Sequence, residues 1–179
     1  MKKGAFLLIF MIIFTFSLAG YKFIVAISHP LKYQETIIKY ANIYDLSPTL
    51  IASIINTESS FNTGAVSNKD AIGLMQIKLT TANYLNDLHK RDHIKREDLF
   101  DSEINIEYGC MYLKYLMDRF DDQYTAISAY NAGETRVRTW LKDKEYSSDG
   151  ITLNNIPYKE TRNYLIKIKQ NMKFYKKLI

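Results

Sequence analysis

The sequence predicts a mainly α-helical domain over residues 30–179, with a small irregular β element near residues 62–79 and an apolar transmembrane helix ahead of it within residues 1–29. Three observations lead there. Apolar side chains recur at helical spacing, in Ile51, Ile54 and Ile55 and again in Ile106, Cys110, Leu113 and Met117. Cap signals such as Ser47-Pro48 stand just before the periodic runs. Finally, residues 4–27 form an apolar run broken only by Lys22.

As a helix that run reaches about 36 Å, against about 30 Å for the hydrocarbon core of a bilayer, so it reads as a membrane anchor. Lys2 and Lys3 then stay inside and the domain lies outside the cytoplasm. The alternative is a cleaved signal peptide and a secreted domain, with Ser17 and Ala19 giving a small-x-small pattern before Gly20. Residues 23–27 argue for the anchor, because a discarded signal needs no second apolar stretch. Lys22 can snorkel to the interface.

Beyond the anchor, residues 31–44 read as an amphipathic helix with Tyr33, Ile37, Ile38 and Ala41 on one side. Ser47 and Pro48 supply N-cap and first-turn positions for a helix ending near Glu58. Gly64, Asn68, Asp70 and Gly73 make residues 62–79 rich in turns. Thr80 or Thr81 is the expected cap of a short helix through Leu88, followed by a charged loop over residues 91–100. Asp101 or Ser102 caps a longer helix through Phe120. Two short helices flank Gly133, a polar loop covers residues 142–155, and Pro157 precedes a final helix running close to Ile179.

Charge excludes one class of partner. The formal net charge of +5 falls by three, to +2, once Lys2, Lys3 and Lys22 are set aside. So nearly balanced a domain gives no case for nucleic-acid binding. The lysines near the C-terminus, Lys167, Lys169, Lys173, Lys176 and Lys177, read as the wet face of a helix. His89 and His93 have the i, i+4 spacing of metal ligands, but Lys90, Arg91, Lys95 and Arg96 around them would repel a cation, so no metal is expected. Cys110 has no histidine partner in sequence and lies within an apolar pattern, as a buried structural thiol does.

Glu58 is the residue that stands out. It closes the stripe begun by Ile51, Ile54 and Ile55, so a carboxyl falls on the face that enters the core. Such a group is costly to bury unless it is paired, hydrogen-bonded or protonated. At the edge of a cleft, partial desolvation raises its pKa, as a general acid requires. The plainer reading is a helix-end Glu that turns outward to water.

Four blocks in order favour the first reading. After Glu58-Ser59 come Gly73-Leu74-Met75-Gln76, then Ala129-Tyr130-Asn131-Ala132-Gly133, then Ile156-Pro157-Tyr158 with Glu160-Thr161-Arg162-Asn163-Tyr164. This set, from about residue 33 onward, resembles the catalytic domain of the soluble lytic transglycosylase family. The resemblance implies a lysozyme-like fold and cleavage of peptidoglycan glycan strands without a cofactor. It implies that Glu58 acts as acid and then base on the β-1,4 bond between N-acetylmuramic acid and N-acetylglucosamine, leaving 1,6-anhydromuramyl ends. By the same resemblance Ser67 lies near the N-acetyl group, Met75 and Gln76 line the glycan groove, and Tyr130 and Asn131 sit beside Glu58. Glu160 and Tyr164 belong to the last block, which supports the cleft as part of the substrate-binding set.

The chain departs from that pattern at Lys78 and Leu79, where the family has an apolar residue and a proline, and at Thr63 and Ser102. Lys78 is placed to alter a saccharide subsite or to pair with a peptide carboxylate. Two other functions use the same residues. A lysozyme-type muramidase needs a second carboxylate or a positioned water, and a glycan-binding protein needs no turnover at all.

Overall fold

The computed structural model describes residues 30–179. The anchor expected within residues 1–29 lies outside them; among the described residues no helix is long and apolar enough to cross a membrane. Among the described residues seven α-helices carry the fold: α1 Gln34–Tyr44, α2 Pro48–Ser59, α3 Leu79–His89, α4 Ser102–Met117, α5 Gln123–Ala132, α6 Glu134–Leu141 and α7 Lys159–Tyr175, with a 3-10 turn at Arg96–Phe100.

The centre of the domain is α2. Leu50, Ile51, Ala52, Ser53, Ile54 and Ile55 are all buried in succession, so this helix is enclosed rather than laid on a surface. It packs against α7 on one side and α1 on another, while α4 joins α1, α3 and α5. A second cluster, around Leu116, Phe120, Val137, Trp140 and Ile156, fills the space between α4, α5 and α6. Cys110 is fully buried on α4, and burial pushes its thiol well above the usual range.

Helix boundaries follow backbone geometry more than side-chain signals. Tyr33 has φ 59°, so α1 begins at Gln34 rather than near Leu31. Ser47 stands at the N-cap of α2 and Pro48 opens the helix, but the serine side chain makes no capping bond. Helix α3 starts at Leu79, ahead of both threonines, because the Lys78 carbonyl already accepts the Ala82 N–H at 3.0 Å. Asp101 caps α4 by accepting the N–H groups of Glu103 and Ile104. That helix stops at Met117, and Phe120 follows in a turn whose N–H groups return to Leu116. On its buried side Leu116 takes the place expected of Met117, which is half-buried. The final helix ends at Tyr175, short of the terminus.

The β element is reduced to two isolated antiparallel bridges, Val66 with Ile72 and Ile72 with Ile77. Positive φ angles at Asp70 (57°), Gly73 (77°) and Gln76 (52°) turn the chain too often for a strand to extend. A Cβ at Gly73 would lie 2.3 Å from Asn105 Nδ2 and 2.5 Å from the Leu99 carbonyl, so only glycine fits that turn. His89 and His93 do not share a helix face. Lys90 ends α3 with φ 54°, and His93 bonds Asp87 at 2.7 Å.

Candidate active site

A cleft of about 650 Å³ opens over the C-terminal end of α2. Glu58 lines it from α2. Ser67, Asn68, Lys69, Gln76 and Lys78 come from the turn-rich segment, Tyr112 from α4, Tyr130 and Asn131 from α5, and Arg136 and Glu160 from the starts of α6 and α7. The local sequence explains how Glu58 reaches this position. Ser60 and Phe61 both adopt left-handed conformations (φ 52° and 62°), so α2 ends abruptly and its last turn faces the cleft. Ser59 then ties the helix end across to the turn segment by donating to the Leu74 carbonyl at 2.8 Å.

The Glu58 carboxyl is pushed from its ordinary 4.5 up to about 7. Desolvation by the surrounding protein is the main cause, and the negative charge of Glu160 adds to it. The hydroxyl of Tyr164 opposes the rise. That hydroxyl is buried and makes no hydrogen bond of full geometry among the described residues, yet it lies near enough to the carboxyl to be felt there. Tyr130 stands on another side. Its phenol gives its proton to the Met75 carbonyl at 2.8 Å, and burial together with the Glu58 charge holds its pKa well above the ordinary 10.

The other polar groups are fixed by the fold, and this determines what each offers. Ser67 Oγ accepts the N–H groups of Ala71 (3.0 Å) and Lys69 (3.3 Å), which closes the loop and leaves its hydroxyl proton to donate. Gln76 Nε2 is bonded to the carbonyls of Gly73 (2.9 Å) and Ala65 (3.2 Å), so its amide oxygen is the end that can accept from a ligand. Asn131 Oδ1 accepts from Thr161 Oγ1 at 2.8 Å, which leaves Nδ2 as a donor toward the cleft. Arg136 is braced by the Ala132 carbonyl at 2.7 Å and by the Tyr158 ring, 5.0 Å from its guanidinium carbon.

Seven residues singled out in the sequence therefore meet around one cavity: Glu58, Ser67, Gln76, Lys78, Tyr130, Asn131 and Glu160. Two do not line it. Met75 is fully buried behind the wall, with its side chain against Gly109, and Tyr164 is buried beside Glu58. Sequence reasoning missed Tyr112, whose ring lies 5.3 Å from that of Tyr130, and also Asn68, Lys69 and Arg136. Asn68 and Lys69 adjoin Ser67 in the same turn, a signal that was available.

A carboxyl poised near neutrality, a hydroxyl, two amides and an open groove can bind a polyhydroxylated chain and move one proton along it. Comparison with known proteins gives the same direction. Residues 35–152 match the family model described as "Transglycosylase SLT domain". The soluble lytic murein transglycosylase of Salmonella typhimurium is 34% identical over 139 residues, covering 76% of this chain and 22% of the relative. Membrane-bound lytic murein transglycosylase C of Yersinia pestis is 33% identical over 168 residues, covering 82% and 47%. Among solved structures, an inactive mutant of lytic transglycosylase Slt from Pseudomonas aeruginosa superposes with a TM-score of 0.75 at 28% identity, over 86% of this chain and 25% of that one. The chain thus spans less than half the length of the curated relatives it matches.

Proposed function

Because the chain belongs to the transglycosylase SLT domain family, we propose that it is a peptidoglycan lytic transglycosylase. It cleaves the β-1,4 bond between N-acetylmuramic acid and N-acetylglucosamine and leaves 1,6-anhydromuramyl ends. The observation that carries this reading is the Glu58 carboxyl in the cleft with its pKa raised to about 7. At neutral pH a large share of such groups holds a proton to give, and the conjugate base is strong enough to take one back.

The reaction then needs one residue twice. Glu58 protonates the bridging oxygen as the C1–O bond of the muramyl residue breaks, with the N-acetyl group assisting. The muramyl C6 hydroxyl attacks C1, and its proton returns to Glu58. No water is consumed, and the enzyme ends in its starting protonation state. The attacking group belongs to the sugar itself, which supplies a high effective molarity in place of a positioned water. Ser67, Gln76 and Asn131 present a donor, an acceptor and a donor for the acetamido and hydroxyl groups of the strand. Met75 and Tyr164 act from behind, holding Tyr130 and bordering Glu58. The domain works outside the cytoplasmic membrane, held there by the apolar N-terminal segment.

One observation favours a second reading. Glu160 lines the same cleft and its charge is felt by Glu58, so a muramidase with two carboxylates is the alternative. Mass spectrometry of the muropeptides released from purified peptidoglycan separates the two. Transglycosylase products carry anhydro ends about 18 mass units lighter than the hydrolysed equivalents. Reducing ends alone would establish the muramidase instead.

A further inference from the structure

A second hollow of about 320 Å³ opens beside the cleft, lined by Thr80, Thr81 and Tyr84 from α3, Tyr112 and Tyr115 from α4, and Glu134 at the start of α6. Thr81 and Tyr112 line both spaces, so the hollow adjoins the cleft. None of the six belongs to the sequence blocks that point to the activity, and the chemistry at Glu58 uses none of them. The polar groups of the hollow are ordered in one direction. Tyr115 gives its single phenolic proton to Glu134 Oε2 at 3.1 Å. In its 3.1 Å contact with Tyr84 the Tyr115 oxygen therefore accepts, and Tyr84 is the donor. With that proton committed, the Tyr84 oxygen has only lone pairs left for a ligand. Glu134 is neutralised in turn by Arg138 at 2.8 Å and Arg119 at 3.7 Å. The lining thus presents acceptors and hydroxyls but no unpaired charge.

The rings leave one surface open. The Arg119 guanidinium carbon lies 4.0 Å from the centre of the Tyr115 ring, and Tyr112 is stacked beside that ring at 6.1 Å with 19° between planes. Tyr84 meets Tyr115 at 88° and stays 45% exposed. An open aromatic surface beside hydrogen-bond acceptors suits a sugar, which is apolar on its C–H face and carries hydroxyl donors around its edge. A charged peptide finds no partner there, because the one carboxylate already has two guanidinium groups. We propose that this hollow is an additional subsite for the glycan strand. It takes one neutral N-acetylhexosamine unit beyond those beside Glu58, with the C–H face on the Tyr84 ring and hydroxyls directed to the Tyr84 oxygen and the two threonines. The consequence is a preference for long strands over short fragments. This inference rests on the reading of the main cleft as a glycan groove.

The test is calorimetric titration of the full chain carrying Glu58→Gln, so that binding is read without turnover. The probes are peptide-free β-1,4 glycan oligomers of about two to eight sugars cut from peptidoglycan, a range that brackets one unit more than the cleft holds. Affinity should rise in steps with length. Adding Tyr84→Ala should weaken the longest oligomers by about tenfold and remove the last step, with the loss absent from the shortest. Adding Tyr84→Phe instead keeps the ring and should cost no more than about threefold at any length. Tyr84 is half-exposed, so neither change opens a cavity in the core. A loss equal at every length, or no loss at any, would overturn the subsite. So would a last step that appears only with oligomers bearing stem peptides, which would make the peptide the occupant. If oligomers bind and only the Tyr84-dependent step is missing, the subsite falls and the glycan groove stands. If no oligomer binds at any length, the groove falls and the subsite with it.

Discussion

Replacing Glu58 by glutamine separates the proton from the shape of the site, and the effect on stability can be worked out with its sign. The folded-state pKa is about 7 against an ordinary 4.5. Between those values the folded chain holds a proton that the unfolded chain has released. The slope of stability with pH is therefore negative in this window: the full contribution is present below the unfolded pKa and is lost as pH rises through the folded one. At about 1.4 kcal/mol per pH unit, ionising Glu58 in place costs the folded protein about 3 kcal/mol at alkaline pH. Glu58→Gln mimics the neutral acid at every pH and escapes that cost. The variant should thus be more stable than wild type by about 3 kcal/mol near pH 8.5, with the gap closing toward about pH 4.5. All other titrating groups are shared, so they cancel in the difference. Urea unfolding of both purified chains at the two pH values measures it, with unchanged m-values as the control. Turnover of the variant should fall by about 10²–10⁴-fold. A stability difference that does not vary with pH, or a variant weaker than wild type in alkali, would refute the desolvated carboxyl.

Two further expectations concern packing and topology. Gly109→Ala puts a Cβ at 2.2 Å from Met75 Sδ and 2.7 Å from its Cβ, so it should cost about 1–3 kcal/mol in urea unfolding and lower turnover through the displaced Met75 carbonyl; a neutral outcome would mean that the segment behind the cleft is soft. Cell fractionation should find the full-length chain in the membrane pellet, resistant to the salt that would screen a merely electrostatic attachment. A soluble mature form beginning at Gly20 would replace the anchor with a cleaved signal.

What the sequence disclosed about the site was carried by periodicity, and what it hid depended on orientation. The stripe of Ile51, Ile54 and Ile55 sets the direction of Glu58 because a helix repeats its faces, and the structure keeps that relation to the last turn. No such rule separates Met75 from Gln76. The two are adjacent, and one is buried while the other lines the cleft, because Gln76 takes a left-handed φ that its residue type does not announce. Tyr112 was out of reach for a different reason. It belongs to a helix whose other faces meet α1, α3 and α5, and the rotation that turns it to Tyr130 is set by tertiary packing. Asn105 did leave a trace, as a polar residue beside Ile106 in an apolar helix, but the Met75 N–H and the Ile72 and Leu99 carbonyls that its buried amide bonds all lie outside the α-helices.

Cys110 gives the molecule a gauge of its own opening. It is the only thiol in the chain, and it sits fully enclosed on α4, which packs against α1, α3, α5 and the 3-10 turn. Burial holds it in the unreactive thiol form, so an oxidising environment or a thiol reagent has no grip on the closed molecule. Modification must wait for α4 to be laid bare, and its rate therefore counts excursions of the whole domain rather than flickers of the cleft. The domain thus carries its one thiol as a sealed reporter, silent for as long as the fold is intact.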